Sequence, residues 1–141
     1  MRCEEVMKRD VRCIFQDDSA QRAAEQMAIA NVGFLPVCDE RGAVLGTVTD
    51  RDLTLRVLAR GQPATTRIAD VYTREVVACH PQDELHDAQA MMAQHHKSRI
   101  MCIDESNRVV GIISLSDIAQ QASEARAAQT LRQVTQREAR A

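Results

Sequence analysis

Two stretches of this chain place a hydroxyl and a carboxylate three residues apart, each after a glycine. They are Gly46-Thr47-Val48-Thr49-Asp50-Arg51-Asp52 and Gly111-Ile112-Ile113-Ser114-Leu115-Ser116-Asp117. The pairs Thr49 with Asp52 and Ser114 with Asp117 suit two kinds of chemistry. At a helix start, Ser/Thr-x-x-acid is the pattern of a capping box, in which the hydroxyl accepts a backbone N–H. At a strand-to-helix junction facing a cleft, the carboxylate can instead accept both hydroxyls of a ribose. The helix N-terminus beside it then offers N–H groups and positive potential to a phosphate. Met once, the pattern speaks for capping; met twice at the same spacing, it speaks for binding.

The elements that carry these pairs are themselves duplicated. A shift of 65 residues lays 6–52 on 71–117 without a gap, and Val6, Arg9, Val11, Asp18, Ala23, Met27, Asp39, Gly46 and Asp52 all meet identical residues. Internal repetition fixes architecture, so it is read before local detail. Each copy reads β-α-β-β-α. Asp18 and Asp83 are predicted N-caps, followed by helical spacing of Ala20, Ala23, Ala24 and Met27, or of Leu85, Ala88, Met91 and Met92. The runs Phe34–Cys38 and Ile100–Ile103 are predicted strands, then a polar turn, then strands Val44–Val48 and Val109–Ile113. Second helices start near Asp50 and Ser116, and the short runs Val11–Ile14 and Val76–Cys79 before the first helices are expected to be extended. With fewer than 60 residues each, the copies are too short for good separate cores, so one shared core is expected. The predicted class is α/β (α+β), with two repeats packed about a pseudo-twofold axis and a C-terminal helical extension. In that extension Ile118, Ala122, Ala125, Leu131 and Val134 keep a weak helical stripe, one that needs a partner to hold it.

Composition narrows the function. The chain has 18 Lys plus Arg against 20 Asp plus Glu, a net charge of -2 that gives no general attraction to nucleic acid. No apolar run reaches the ~20 residues of a membrane span, and the charged start Met1-Arg2-Cys3-Glu4-Glu5 lacks a signal-peptide stretch, so a cytoplasmic location is expected. The five cysteines (Cys3, Cys13, Cys38, Cys79, Cys102) form no Cys-x-x-Cys and read as buried thiols. His80, His86, His95 and His96 all lie in the second copy and read as surface and helix-end residues, so no metal is expected. There is no phosphate loop and no nucleophile–base pair in a recognisable context, so an enzyme is not expected.

The segments Val32-Gly33-Phe34-Leu35-Pro36-Val37, Gly46 through Leu53, Ser98 through Asp104 and Gly111 through Ile118, with leaders Glu5-Val6-Met7 and Asp70-Val71-Tyr72, resemble a tandem pair of CBS (cystathionine β-synthase) domains, a Bateman module. The resemblance divides the chain into repeat 1 (3–60), a connector (61–67), repeat 2 (68–122) and a helical tail (123–141). It implies a stand-alone regulatory sensor binding AMP, ADP, ATP or a related adenosyl compound in clefts between the repeats, with the nucleotide as regulatory ligand and no other cofactor. It also implies a homodimer and leaves room for an unknown protein target, with no membrane or nucleic-acid partner. Carried over, Thr49 and Asp52 hold one ribose, and Ser114 and Asp117 the other. Val11, Phe34 and Pro36 then lie near one adenine, and Val76 and Ile100 near the other. Arg99 is placed to meet phosphate, with Arg51 and His96 as further basic candidates. Two departures stand out: Met101 replaces the usual proline, and Phe34 occupies the place of a basic residue. Two other readings stay open, a dimeric interaction module without nucleotide and a thiol or metal sensor using the copy-two His and Cys residues.

Overall fold

The alternation of apolar runs with amphipathic stretches resolves into the β-α-β-β-α order twice. The computed structural model describes residues 1–121 and 124–140, and the side chains of 1–121 and 128–136. In the first copy, β1 (Ile14–Phe15), α1 (Ala20–Ala30), β2 (Phe34–Cys38), β3 (Val44–Thr49) and α2 (Asp50–Leu53) follow in turn, and α2 continues as a π-helical turn over Thr54–Leu58. In the second copy, β4 (Ala78–Cys79), α3 (Leu85–His95), β5 (Arg99–Ile103), β6 (Val109–Ser114) and α4 (Leu115–Gln121) repeat the order, and α5 (Glu124–Arg140) follows. Each copy builds a three-stranded sheet, with the first strand parallel to the second and the second antiparallel to the third.

The helix starts correct one expectation. Ser19, not Asp18, caps α1: its Oγ accepts the Arg22 N–H at 3.0 Å. Asp18 reaches back instead and accepts the Phe15 N–H at 2.9 Å, closing the turn before the helix. Glu84 stands at the N-cap of α3, while Asp83 accepts the His80 N–H at 2.8 Å. A short carboxylate one residue earlier satisfies the incoming turn and leaves the cap position to its neighbour. Both helices end alike, with Asn31 and His96 in the left-handed conformation at φ 54°, the usual geometry of a helix C-terminus.

The repeats of the sequence are not the compact units of the fold. One unit comprises 12–76; the other comprises 1–11 with 77–141. Each leader has been exchanged. Thr73 exchanges backbone hydrogen bonds with Thr47 of β3 at 2.8 and 2.9 Å, and Lys8 does the same with Ile112 of β6 at 2.9 Å. In both units the leader covers what would be an open sheet edge, a template for unwanted pairing. The close approach explains the repeated glycine. A Cβ on Gly46 would run into the Thr73 carbonyl and lie 2.9 Å from the Tyr72 ring; one on Gly111 would run into the Met7 side chain.

The expectation of one shared core is therefore corrected in form. Among the described residues there are two clusters, each drawing on both repeats. Ile14, Ala23, Met27, Leu35, Val37 and Val48 are joined by Ile68, Val71 and Tyr72. Ala88, Met92, Ile100, Ile113 and Ile118 are joined by Cys3 and Met7. In the helical extension, α5 packs on α3 and α4. Val134 and Thr130 are buried, Leu131 is exposed, and the His96 ring lies 2.8 Å from the Gln133 carbonyl. The weak stripe thus has a partner in its own chain, although Ala122, Ser123 and Ala141 lie outside the described residues, as does the side chain of Ala125. Among the described residues no helix is long and apolar enough to cross a membrane.

Candidate functional site

The third strand of each sheet delivers the hydroxyl, and the helix that follows delivers the carboxylate. Thr49 ends β3 and caps α2: the Asp52 N–H donates to Thr49 Oγ1 at 3.1 Å, and the Thr49 N–H donates to Asp52 Oδ2 at 3.0 Å. Ser114 and Asp117 make the same reciprocal bonds at 3.2 and 2.8 Å, and Ser114 Oγ also donates to Asp117 Oδ2 at 2.9 Å. Both readings of the motif are thus compatible: the capping box exists, and it holds each carboxylate rigidly by one oxygen. A carboxylate has about four lone-pair sites, so Oδ1 keeps acceptor capacity. The two carboxylate side chains are 13% and 10% exposed.

Three further residues complete the surroundings. The Thr73 hydroxyl donates toward Asp52 at 3.3 and 3.4 Å, and Arg56 Nε lies 3.9 Å from Asp52 Oδ1. Arg56 also donates to the Val71 and Tyr72 carbonyls at 3.0 and 3.2 Å, which ties the leader to the helix. In the other unit Lys8 Nζ lies 3.8 Å from Asp117 Oδ1, with 76% of its side chain exposed. Arg56 was legible as the i+4 partner of Asp52 on a helix. Lys8 and Thr73 carried no local signal, because each belongs to the leader of the opposite repeat.

Register places the remaining candidates. Phe34 pairs with Thr49, and Arg99 with Ser114. Directly opposed residues of antiparallel strands share a face, so Phe34 lies on the face of Thr49 and Arg99 on the face of Ser114. Pro36 and Met101, two residues further on, pair with Thr47 and Ile112 on those same faces and are buried. Ile100 lies on the opposite face, 1% exposed within the core cluster. Arg51 is exposed, with its N–H turned to the Asp50 carboxylate at 2.9 Å. Val11 is half-buried at the end of the first leader, and Val76 is exposed at the end of the second. His96 caps α3 and faces α5.

The cysteines gather in two places. Cys79 lies 3.7 Å from Cys3 and 3.5 Å from Cys102, Sγ to Sγ, in the core. Hydrogen bonding to Cys79, then burial, drives the Cys3 pKa far up, and the bond to Cys102 pushes Cys79 up to about 12. Their repeat counterparts are Ile68, Ile14 and Val37, so these thiols act as small apolar filler. Cys13 and Cys38 form a separate pair at 3.0 Å. Among the described residues no group of three or more His, Cys, Asp or Glu side chains could hold a metal ion.

Comparison with known proteins agrees with the duplicated fold. The CBS domain family matches residues 3–59 and again 68–124. The CBS domain-containing protein YhcV of Bacillus subtilis is 37% identical over 116 residues, covering 82% of this chain and 81% of its own. Two solved structures share the fold at lower identity. The CBS domain pair of protein MJ0100, in complex with 5′-methylthioadenosine and S-adenosyl-L-methionine, superposes with a TM-score of 0.76 at 24% identity, covering 85% of this chain and 94% of that one. The CBS domain protein PAE2072 of Pyrobaculum aerophilum, complexed with AMP, gives a TM-score of 0.77 at 18% identity, covering 94% of this chain and 99% of that one.

Proposed function

The chain belongs to the CBS domain family, with two copies of the domain, and from that premise we propose that it is a regulatory module that binds adenosine-containing ligands. The observation that carries this reading is the pair of rigidly held carboxylates, Asp52 and Asp117, each at a strand-to-helix junction beside a hydroxyl residue. Each keeps an oxygen able to accept ribose hydroxyls. Thr49, Asp52, Phe34 and Thr73 form one candidate site, and Ser114, Asp117, Arg99 and Lys8 the other. The ligands of MJ0100 and PAE2072 support the adenosyl class. Binding produces an output only where the ligand prefers one state of the module over another.

A homodimer belongs to the same proposal. α1 packs against α2, and these helices with their π-helical extension carry exposed Ile29, Leu55 and Leu58, apolar residues suited to a symmetric contact.

The test is thermal shift of the full chain with AMP, ADP, ATP, S-adenosylmethionine, NAD and zinc. A ligand that binds the folded state raises Tm by mass action, and a rise with at least one adenosine compound is expected. If none of them moves Tm, the interaction module without nucleotide takes its place. A rise with zinc alone favours the metal sensor.

A further inference from the structure

Cys13 and Cys38 form a pair apart from the other three thiols, and Cys13 alone of the five is not buried. Cys13 immediately precedes β1, and Cys38 ends β2, the strand with which β1 runs parallel. The Cys38 thiol donates to Cys13 Sγ across 3.0 Å, so about 1 Å of closure brings the sulfurs to bonding distance. Cys13 is half-buried, whereas Cys3, Cys79 and Cys102 are all buried. A surface groove lined by Phe15, Gln16, Asp17, Asp39 and Arg41 reaches Cys38. In the other unit the counterpart positions hold Ala78 and Ile103, so the pair belongs to one unit only.

We propose that Cys13 and Cys38 are a redox-active pair, in which Cys13 is the sulfur that attacks a peroxide and Cys38 is the resolving thiol.

The roles follow from the surroundings. The hydrogen bond donated by Cys38 lowers the pKa of Cys13. That same bond, burial and the charge of Asp39 raise the pKa of Cys38 and keep it protonated. The thiolate is the reactive form of cysteine. In the first step Cys13 sulfur attacks a peroxide oxygen: an S–O bond forms, the O–O bond breaks, and the departing hydroxide leaves as water with a proton from solvent. In the second, Cys38 sulfur attacks Cys13 sulfur: the S–S bond forms, the S–O bond breaks, and the hydroxyl leaves as water with the Cys38 proton. Two thiols lose two electrons, and one hydrogen peroxide becomes two waters. A small dithiol reverses the change by thiol–disulfide exchange. The bond would link β1 to β2 and close the segment containing α1.

The test treats the reduced full chain with hydrogen peroxide, blocks remaining thiols by alkylation, and maps the products by mass spectrometry. The expected product has lost two hydrogens and joins the Cys13 and Cys38 peptides within one chain, and dithiothreitol reverses it. Closing a loop of this size should raise Tm by roughly 5–10 °C. Cys38→Ser should stop at a sulfenic acid on Cys13 that a 1,3-diketone traps, and Cys13→Ser should give neither cross-link nor trapped acid while melting as the reduced parent does. A folded chain that resists cross-linking, a bond between two chains, or earlier oxidation of Cys3, Cys79 or Cys102 overturns the proposal.

Discussion

The hydroxyl of Thr73 donates toward the carboxylate of Asp52, 3.3 Å from one oxygen and 3.4 Å from the other. The two residues come from different repeats of the sequence and meet because the leader of the second repeat packs on the sheet of the first. At the positions shifted by 65, Lys8 stands 3.8 Å from Asp117. Each candidate ligand carboxylate is therefore held from one side by its own helix start and approached from the other by an exchanged leader. That arrangement sets the expected effects of substitution.

Asp52→Asn should weaken the nucleotide site of the first sheet at least tenfold. An Asn oxygen still accepts the Thr49 N–H, so the cap and the fold survive, but the charge that strengthens bonds to ribose hydroxyls is lost. Hydrogen bonds to charged groups contribute about 1.5–3 kcal/mol, and about 1.4 kcal/mol is tenfold in affinity. Calorimetry with the ligand identified by thermal shift checks this, alongside a denaturation curve. Unchanged affinity would assign Asp52 to helix capping alone.

The two sites should differ in affinity or ligand preference. Asp117 has Lys8 beside it and Arg99 in register with Ser114, whereas the matching positions hold Thr73 and Phe34. Two cations favour a phosphate-bearing ligand at the second site, and added salt should weaken that site more. Titration of Asp52→Asn and Asp117→Asn isolates each site in turn. Equal affinities with equal salt dependence would contradict the asymmetry.

Gly46→Ala should cost more stability than Gly111→Ala. At Gly46 the new methyl meets backbone, the Thr73 carbonyl and the Arg74 Cα at 3.0 Å, which cannot turn aside. At Gly111 it meets the Met7 side chain, and Met has rotamers with which to yield. A difference of at least about 1 kcal/mol in urea denaturation is expected, on the scale of overpacking costs. Met7→Ala, itself costing about 2–5 kcal/mol, should make Gly111→Ala nearly neutral in the double variant. Strict additivity of the two changes would mean that the leader does not lie over Gly111.

Stability should fall as pH rises above the ordinary thiol range. Cys3 and Cys79 have raised pKa values in the folded chain, Cys79 to about 12, chiefly through thiol hydrogen bonds and burial, whereas Cys13 and Cys38 shift in opposite directions and offset one another. Below about pH 8.5, the usual thiol pKa, both states bind these protons and their contribution is complete. Above it the unfolded chain releases protons that the folded chain holds, so stability is lost progressively toward pH 12. The urea midpoint measured under reducing conditions from pH 8 to 10.5 reads this out. Cys79→Val should flatten the slope; an unaltered slope would locate the alkaline sensitivity elsewhere.

If the proposed dimer forms through α1 and α2, Leu58→Asp with Ile29→Asp should release monomers. These side chains are 75% and 67% exposed, so the fold of one chain does not depend on them. Light scattering that gives the mass of one chain already in the wild type, or of a dimer in the double variant, would reject this face.

Much of the molecule is legible in its sequence. The element order follows from hydrophobic periodicity and turn residues, which act over a few positions, and duplication at 65 residues turned a weak local signal into a strong one. The Thr49–Asp52 and Ser114–Asp117 pairs were legible for the same reason: both partners lie within one turn of helix. Even there the register had limits, since Asp18 and Ser19 can each serve a turn or a cap, and only the surrounding bonds decided which does which. What the tertiary structure alone decided is which leader lies on which sheet. Met7 and Tyr72 are both apolar, and Lys8 and Thr73 can both donate to a carboxylate, so either leader is chemically acceptable beside either glycine. The choice depends on the path of the chain between distant segments, as does the meeting of Cys13 with Cys38 across two parallel strands. Contacts of that kind are set by packing and chain closure, and no periodicity in the sequence records them.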